Sequence, residues 1–344
     1  MRTSKIQFPK RFSFFFLLFC ILGIMGYARS QQNTIFHAVV AKDGTGDYTT
    51  VQSAIDAVPE NLKSPWLIFV KNGSYEEQVI IPQNKPFIHL IGQDKERTII
   101  HLKLNVGGKP DANTKDLAYW HYSVHNPKSA VSHFEGAVVN INASDFYSEN
   151  ISYVNDWGLE AQNGPQALAL KTKADRIAFY NCKFRSFQDT WMTTTRDADR
   201  HYVKECWLEG AVDYFYGGGN ALVEESTLYN VRSGSVIVAP CHESVKYGYV
   251  FRNCVIDGNE QAADGKLKLG RPWHNSPKAV YINTLVKIPL APEGWTNMGT
   301  IPALFAEYNS MDMNGKTLDL SCRKTEYELS LIHISEPTRR TPIS

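Results

Sequence analysis

The chain lacks a strong net charge of either sign. It carries 36 Lys and Arg against 35 Asp and Glu, which gives a formal net charge of +1 over 344 residues. The basic residues form no arm of the kind that binds nucleic-acid phosphates. We therefore expect no nucleic-acid partner.

Cysteine is also scarce, with six residues and no Cys-x-x-Cys pair of the kind that holds zinc. Five of the six lie beyond the N-terminal segment, and an odd number cannot all pair within one chain. Cys182 and Cys206 either stack as small buried thiols, which we favour, or form a disulfide. No metal or other cofactor is expected. The five are Cys182, Cys206, Cys241, Cys254 and Cys322.

Long apolar runs are missing as well. The longest, residues 12–26, is shorter than the roughly 20 residues that span a membrane, follows four basic residues and precedes the small-x-small site Ala28-Arg-Ser30. The pattern predicts a secretion signal over residues 1–30, with a membrane anchor as the alternative. Its removal takes five positive charges and no acids, so +1 becomes about −4. We expect a secreted protein (extracellular, cell wall or periplasm) with no membrane contact after cleavage.

What the chain does contain is repetition at 20 to 28 residues. Gln166 and Gln188 are 22 positions apart, and Asp189 and Asp213 are 24 apart. Four β-rich runs carry a small residue in register, at Cys182, Cys206, Ser226 and Cys254. This period predicts a β-solenoid, in which each coil buries its apolar face by stacking on the next. Residues one coil apart then lie about 4.8 Å apart, so two amides and two carboxylates converge.

The ends of the solenoid and its interruption can also be predicted. The amphipathic residues 49–58 predict a short helix that caps the first coil. Strand-like runs follow at residues 66–70, 78–81 and 87–91. Between two of them, Gly73-Ser-Tyr-Glu-Glu77 is interpreted as a structural turn. The periodicity weakens over residues 101–133, which predicts a long excursion and a binding surface.

Eight segments of the chain match the motifs of one known family, in the order in which that family has them. They are Ala41-Lys-Asp-Gly-Thr-Gly-Asp-Tyr48, Gly73-Ser-Tyr-Glu-Glu77, Gln166-Ala-Leu-Ala-Leu170, Gln188-Asp-Thr190, Asp213-Tyr-Phe-Tyr-Gly217, Leu269-Gly-Arg-Pro-Trp273, Pro292-Glu-Gly-Trp295 and Phe305-Ala-Glu-Tyr308. Over roughly residues 36–327 the chain thus resembles the pectin methylesterase (pectinesterase) family. The resemblance implies an all-β fold, a right-handed parallel β-helix with a short N-terminal capping helix, as one domain over residues 31–328. Residues 329–344 break the family pattern and are interpreted as a non-native tail, which leaves the native C-terminus incomplete.

Ester hydrolysis needs a nucleophile, hydrogen-bond donors for the oxyanion and a proton for the leaving alcohol. The resemblance implies that Asp213 is the nucleophile and that Asp189 is the general acid, then the base that activates water. It also implies that the side-chain amides of Gln166 and Gln188 donate hydrogen bonds to the oxyanion. Arg271 is expected to orient Asp213 and to lower its pKa. Because neighbours on a regular strand face opposite sides, a bend is required between Gln188 and Asp189.

Aromatic side chains around these positions suit the apolar faces of sugar rings. Trp273 is the expected substrate platform, with Tyr216 and Trp191 as further substrate contacts, although the family usually has Leu at the position of Trp191. Three other residues, His201, His242 and His274, are interpreted as separate surface or core histidines rather than as a metal or base set.

The expected reaction is hydrolysis of the methyl esters of galacturonic acid units in pectin (homogalacturonan) by a monomer, with methanol as a product. A pectate lyase or polygalacturonase shares the fold, but a lyase would need a calcium-binding acidic cluster. Two further alternatives remain, a related β-helix esterase on another acyl or thioester substrate and a non-catalytic glycan-binding β-solenoid.

Overall fold

The computed structural model describes residues 36–104, 136–164, 166–194 and 196–324. The described residues from His37 onwards belong to one compact unit. The predicted signal at 1–30, most of the predicted excursion at 101–133 and the predicted tail at 329–344 lie outside the described residues.

The described residues form two short helices and 26 strands, and the strands pair in parallel. The helices are α1 Val51–Asp56 and α2 Asp156–Ala161. The strands are β1 Ala38–Val40, β2 Trp66–Val70, β3 Gly73–Glu76, β4 Val79–Ile81, β5 Ile88–Gly92, β6 Thr98–Leu102, β7 Ala137–Ile141, β8 Phe146–Glu149, β9 Ser152–Asn155, β10 Leu168–Thr172, β11 Ile177–Tyr180, β12 Lys183–Arg185, β13 Trp191–Met192, β14 Arg200–Lys204, β15 Trp207–Gly210, β16 Val212–Gly217, β17 Asn220–Glu224, β18 Thr227–Asn230, β19 Val236–Pro240, β20 Tyr249–Arg252, β21 Val255–Gly258, β22 Lys268–Gly270, β23 Lys278–Ile282, β24 Leu285–Val286, β25 Leu304–Tyr308 and β26 Met311–Asp312.

Within the described part of the chain, these strands form three long sheets. A ten-stranded sheet runs from β1 to β25, a nine-stranded sheet from β3 to β26, and a seven-stranded sheet in the order β22-β19-β16-β13-β10-β7-β4. Neighbours within a sheet come from successive coils, so each coil supplies one strand to each sheet. The predicted fold class, an all-β parallel β-helix, is confirmed.

The corner between the ten-stranded and nine-stranded sheets explains the repeating small residue. One residue in the left-handed backbone region turns the chain, and the next residue points into the core. The predicted register is confirmed, because the Cys206 amide donates to Ser226 Oγ (3.0 Å) and the Cys182 amide to Cys206 Sγ (3.3 Å). Cys182, Cys206 and Cys254 are buried free thiols. The corner residues, with φ between 48° and 57°, are Asn150, Asn181, Glu205, Glu225, Asn253, Asn283 and Asn309.

The N-terminal coil is covered by α1, as predicted. Val51, Ala54 and Ile55 are buried, and the Glu77 carboxylate accepts hydrogen bonds from the amides of Val51 (2.8 Å) and Gln52 (2.9 Å). These are amides that the first helical turn leaves without a partner inside the helix. The interpretation of residues 73–77 as a turn is wrong, because residues 73–76 form strand β3 and Glu77 caps α1.

Neither α1 nor α2 is a candidate membrane span, since no helix among the described residues is long and apolar enough.

Candidate active site

Two aspartates lie at matching backbone irregularities on neighbouring coils. Asp189 (φ 63°) precedes β13, and Asp213 (φ 51°) lies in β16, both in the left-handed region. Strand β16 shifts register against β19 between Val212 and Phe215, and the Asp189 amide donates to the Val212 carbonyl (2.9 Å). A left-handed residue breaks the strict alternation of strand side chains. It supplies the bend that the sequence required after Gln188.

Asp213 is held by a two-pronged ion pair. Arg271 Nε donates to Oδ1 (2.9 Å) and Nη2 to Oδ2 (2.5 Å), while Asp213 is only 5% exposed. Arg271 follows β22, whose last residue, Gly270, leaves no space for a side chain. A Cβ there would lie 2.5 Å from Val238 Cγ2. This glycine therefore allows the backbone next to Arg271 to pack closely against the neighbouring coil.

The two aspartates differ in the causes that set their pKa values. Burial raises the pKa of Asp213, and the hydrogen bonds and charge of Arg271 oppose that rise. As predicted, Arg271 acts to lower the pKa of Asp213, but the effect of burial is larger and the net shift is upwards. The pKa of Asp189 is raised well above its ordinary value, first by burial and then by the charge of Asp213. The pKa is therefore raised for both carboxyls, and Arg271 limits the rise at Asp213, with which it forms the ion pair.

The two predicted amide donors lie on adjacent coils beside the aspartates. Gln166 precedes β10 and Gln188 precedes β13, and the Ala167 amide donates to the Gln188 carbonyl (3.0 Å). Both glutamine residues are partly exposed. Gln188 forms a parallel bridge with Val212, one residue before Asp213. Successive coils thus place amides and carboxylates next to one another on the seven-stranded sheet.

Tyr216 and Trp273 form the aromatic wall of the site. Their ring centroids are 5.6 Å apart at 65°, and Trp273 is partly exposed. Tyr216 is only 6% exposed, and burial and then the charge of nearby Asp189 raise its pKa well above the ordinary value. The buried ring of Tyr216 leaves little surface for the substrate contact that was predicted for it. Trp273 exposes more of its ring.

The prediction that Trp191 contacts substrate is wrong, because its side chain is fully buried. Its ring packs edge-on against Phe215 (5.1 Å), and its Nε1 donates to Thr172 Oγ1 (3.3 Å). Trp191 pairs in register with Phe215, which is also fully buried, whereas the next pair along is Met192 with Tyr216. The bend at Asp189 sets which of these two pairs faces outwards.

Sequence reasoning missed Arg232, whose charge lowers the pKa of Asp213. Its guanidinium carbon lies 5.8 Å from the ring centroid of Phe187. Arg232 belongs to no matching segment. The position of Arg232 in the coil repeat could have indicated it. Its neighbour Val231 lies one coil after Gly210, to whose carbonyl the Val231 amide donates, and Gly210 is three residues before Asp213.

The three histidines are not arranged as a set. His201 is buried, with Nε2 2.9 Å from Thr172 Oγ1, and burial lowers its pKa to about 4. His242 is buried against the Lys278 carbonyl, and His274 is exposed. Over residues 36–104, 136–164, 166–194 and 196–324, no three His, Cys, Asp or Glu side chains are grouped to hold a metal ion.

A sequence model of the Pectinesterase family matches residues 37–119 and 121–326. The chain belongs to the pectinesterase family. It is 33% identical over 275 residues to Pectinesterase 31 of Arabidopsis thaliana, covering 78% of this chain and 80% of that protein. A pectinesterase of Petunia integrifolia is 30% identical over 289 residues, covering 80% and 70%.

Solved pectinesterase structures resemble this fold over most of its length. The pectin methylesterase from carrot superposes with a TM-score of 0.70 at 25% identity, covering 85% of this chain and 86% of that one. The Aspergillus niger pectin methylesterase gives a TM-score of 0.67 at 28% identity, covering 85% and 89%. The family therefore accounts for the parallel β-helix fold.

Proposed function

We propose that the protein hydrolyses the methyl esters of galacturonic acid units in pectin through a covalent intermediate on Asp213. Membership of the pectinesterase family makes it a carboxylic ester hydrolase. The observation that carries the two-aspartate mechanism is the Arg271–Asp213 ion pair beside an Asp189 whose pKa is raised.

In the first half of the reaction, a carboxylate oxygen of Asp213 attacks the ester carbonyl carbon. Arg271 favours the ionised form of Asp213, against the effect of burial, and fixes its orientation. The side-chain amides of Gln166 and Gln188 donate to the developing oxyanion. Asp189, protonated because of its raised pKa, gives its proton to the departing methanol oxygen.

In the second half, Asp189 is ionised and accepts a proton from water. The resulting hydroxide attacks the acyl carbon of the acyl–Asp213 anhydride. The pectin carboxylic acid is released, Asp213 becomes a carboxylate again and Asp189 is protonated again. The net reaction is ester plus water to acid plus methanol, and these residues need no other reactant.

The test is methanol release from methylated pectin by the parent and an Asp213→Asn variant. Because the variant keeps the shape but loses the nucleophile, turnover falls about a thousandfold or more while pectin binding survives. Trp273→Ala gives the reverse, with weaker binding and residual chemistry. Asp257→Asn is the matched control, since that aspartate pairs with Lys287 on the nine-stranded sheet.

The products distinguish the reaction classes. Methanol with titratable acid and without unsaturated sugar ends is the expected outcome, whereas unsaturated ends would point to a lyase. A folded Asp213→Asn protein that keeps substantial turnover would show that Asp213 is not the nucleophile.

We also propose that the protein is secreted and acts as a monomer on the polysaccharide. The support is the basic and then apolar N-terminal sequence, which ends in Ala28-Arg-Ser30. Extracellular action agrees with a polymeric substrate that lies outside the cell.

A further inference from the structure

A second constellation of reactive side chains lies on the nine-stranded sheet, away from the paired aspartates. Ser74 Oγ is 2.7 Å from His101 Nε2, and His101 Nδ1 is 2.6 Å from Asp156 Oδ2. Ser74 lies in β3, His101 in β6 and Asp156 at the start of α2. The proposed pectin mechanism uses none of the three.

The order of contacts is that of a nucleophile, a base and an orienting acid. When His101 Nδ1–H donates to the Asp156 carboxylate, Nε2 is left to accept the Ser74 hydroxyl proton. Ser74 is exposed, while the His101 and Asp156 side chains are 20% and 31% exposed. The base is therefore sheltered and the nucleophile is accessible.

The edge of the sheet supplies donors for an oxyanion. Strand β3 ends the nine-stranded sheet. The Gly73 amide donates to the carbonyl of Arg97, which immediately precedes β6, and the Glu77 amide donates to the carbonyl of His101 in β6. Because donors alternate along a strand, the amides of Ser74 and Glu76 point to the open edge. The Lys42 ammonium donates to the Ser74 carbonyl at the same edge and adds positive charge.

We propose that Ser74, His101 and Asp156 form a second hydrolytic site for esters with small acyl groups, such as acetyl esters. Ser74 Oγ attacks the acyl carbon while its proton passes to His101 Nε2. The C–O bond to the alcohol breaks, and the alcohol leaves with that proton. Water then repeats the cycle, transferring its proton through His101 and releasing the carboxylic acid and free Ser74.

The small acyl group follows from the position of Ser74. It lies on the exposed outer face of an edge strand, next to Gly73. An acetyl group needs no apolar pocket there, whereas a long acyl chain would remain in water.

The first experiment labels the whole protein with a fluorophosphonate probe and maps the modified peptide by mass spectrometry. The probe phosphorus forms a bond to the nucleophilic oxygen and fluoride leaves, so the probe reports an activated serine. We expect the label on Ser74 in the parent and no label at this position in Ser74→Ala. In His101→Gln and Asp156→Asn the labelling rate should fall by about a hundredfold or more. Ser233→Ala is the matched control, because exposed Ser233 donates to Asp264 (2.5 Å) rather than to a histidine.

The second experiment follows hydrolysis of p-nitrophenyl acetate. Ser74→Ala should lose this activity and keep methanol release from pectin, while Asp213→Asn should show the opposite pattern. The two sites therefore fail independently. An unlabelled Ser74 in the folded parent, or unchanged aryl acetate hydrolysis in Ser74→Ala, would overturn the second site and leave the three residues as a hydrogen-bonded tie between coils.

Discussion

At the residue scale, the site depends on two aspartates that share one backbone geometry and differ in their surroundings. Asp213 has a cation that donates two hydrogen bonds to it, and Asp189 faces the charge of Asp213 and the Tyr216 side chain. Desolvation raises the pKa of both carboxyls. Residue type alone does not distinguish the two carboxyls, so the acid and nucleophile roles that we propose depend on the partners of each one.

The raised pKa of Asp189 has a consequence for stability. A carboxyl whose folded pKa lies above its unfolded value of about 3.9 binds protons more tightly in the folded state. Its favourable contribution is present at low pH and is lost as pH rises through the folded pKa. Asp189→Asn should therefore raise the melting temperature at pH 7, and the gain should vanish near pH 3.

This pH dependence is measured by thermal unfolding of the parent and Asp189→Asn across pH 3 to 8. Asp257→Asn is again the control, because its carboxylate pairs with Lys287 (3.0 Å), and it should show no gain at pH 7. An Asp189→Asn protein that is less stable than the parent at pH 7 would contradict the raised pKa of the Asp189 carboxyl.

At the element scale, the repeated corner decides where one strand ends and the next begins. The corner residue takes a left-handed φ, and five of the seven corner residues are asparagines, which tolerate that region better than most residues do. Asn283 Nδ2 donates to Asn253 Oδ1 (3.2 Å), and Asn309 Nδ2 donates to Asn283 Oδ1 (2.9 Å). The corner therefore adds a side-chain ladder to the backbone ladder.

Two substitutions separate these effects at Asn283, where φ is 53°. Asn283→Ala loses both ladder bonds and puts alanine, which tolerates the left-handed region less well than asparagine, at this corner, which should lower the free energy of unfolding by about 2 kcal/mol. Asn283→Gly loses the same bonds without the steric cost and should lose about 1 kcal/mol. Denaturant unfolding measures both, and equal losses would mean that the backbone conformation contributes nothing.

At the scale of the whole molecule, coiling brings distant segments together. Asp213 and Arg271 are 58 positions apart, and the one intervening strand of the sheet is β19. The first 30 residues contain five basic residues and no acidic ones. Since the whole chain has a net charge of +1, the chain without them would carry a net charge of about −4. That segment therefore differs in character from the rest of the chain.

We predict that a secreting host releases a protein whose first residue is Gln31. N-terminal sequencing of the protein in the medium tests this, and a variant with Arg residues replacing Leu17 and Leu18 in the apolar run is the control that should stay inside the cell. Recovery of the intact N-terminus in the membrane fraction would instead support an anchor.

The sequence by itself determined the coil length, the register of the small residues and the set of matching segments. These are local or periodic properties, so the fold class and the capping helix at Val51–Asp56 could be predicted from them. The position of Asp189 beside Asp213 followed from the same spacing. The need for a bend after Gln188 was also readable, because strand neighbours face opposite sides.

Only the tertiary structure decided which side chains face outwards and how strongly each carboxyl is desolvated. The left-handed residue at Asp189 placed Trp191 inside and Tyr216 against the acid, although sequence adjacency suggested that both contact substrate. The meeting of Ser74, His101 and Asp156 was likewise hidden, since they belong to three coils. The physical reason is that facing direction, burial and proton affinity depend on atoms that neighbouring coils supply.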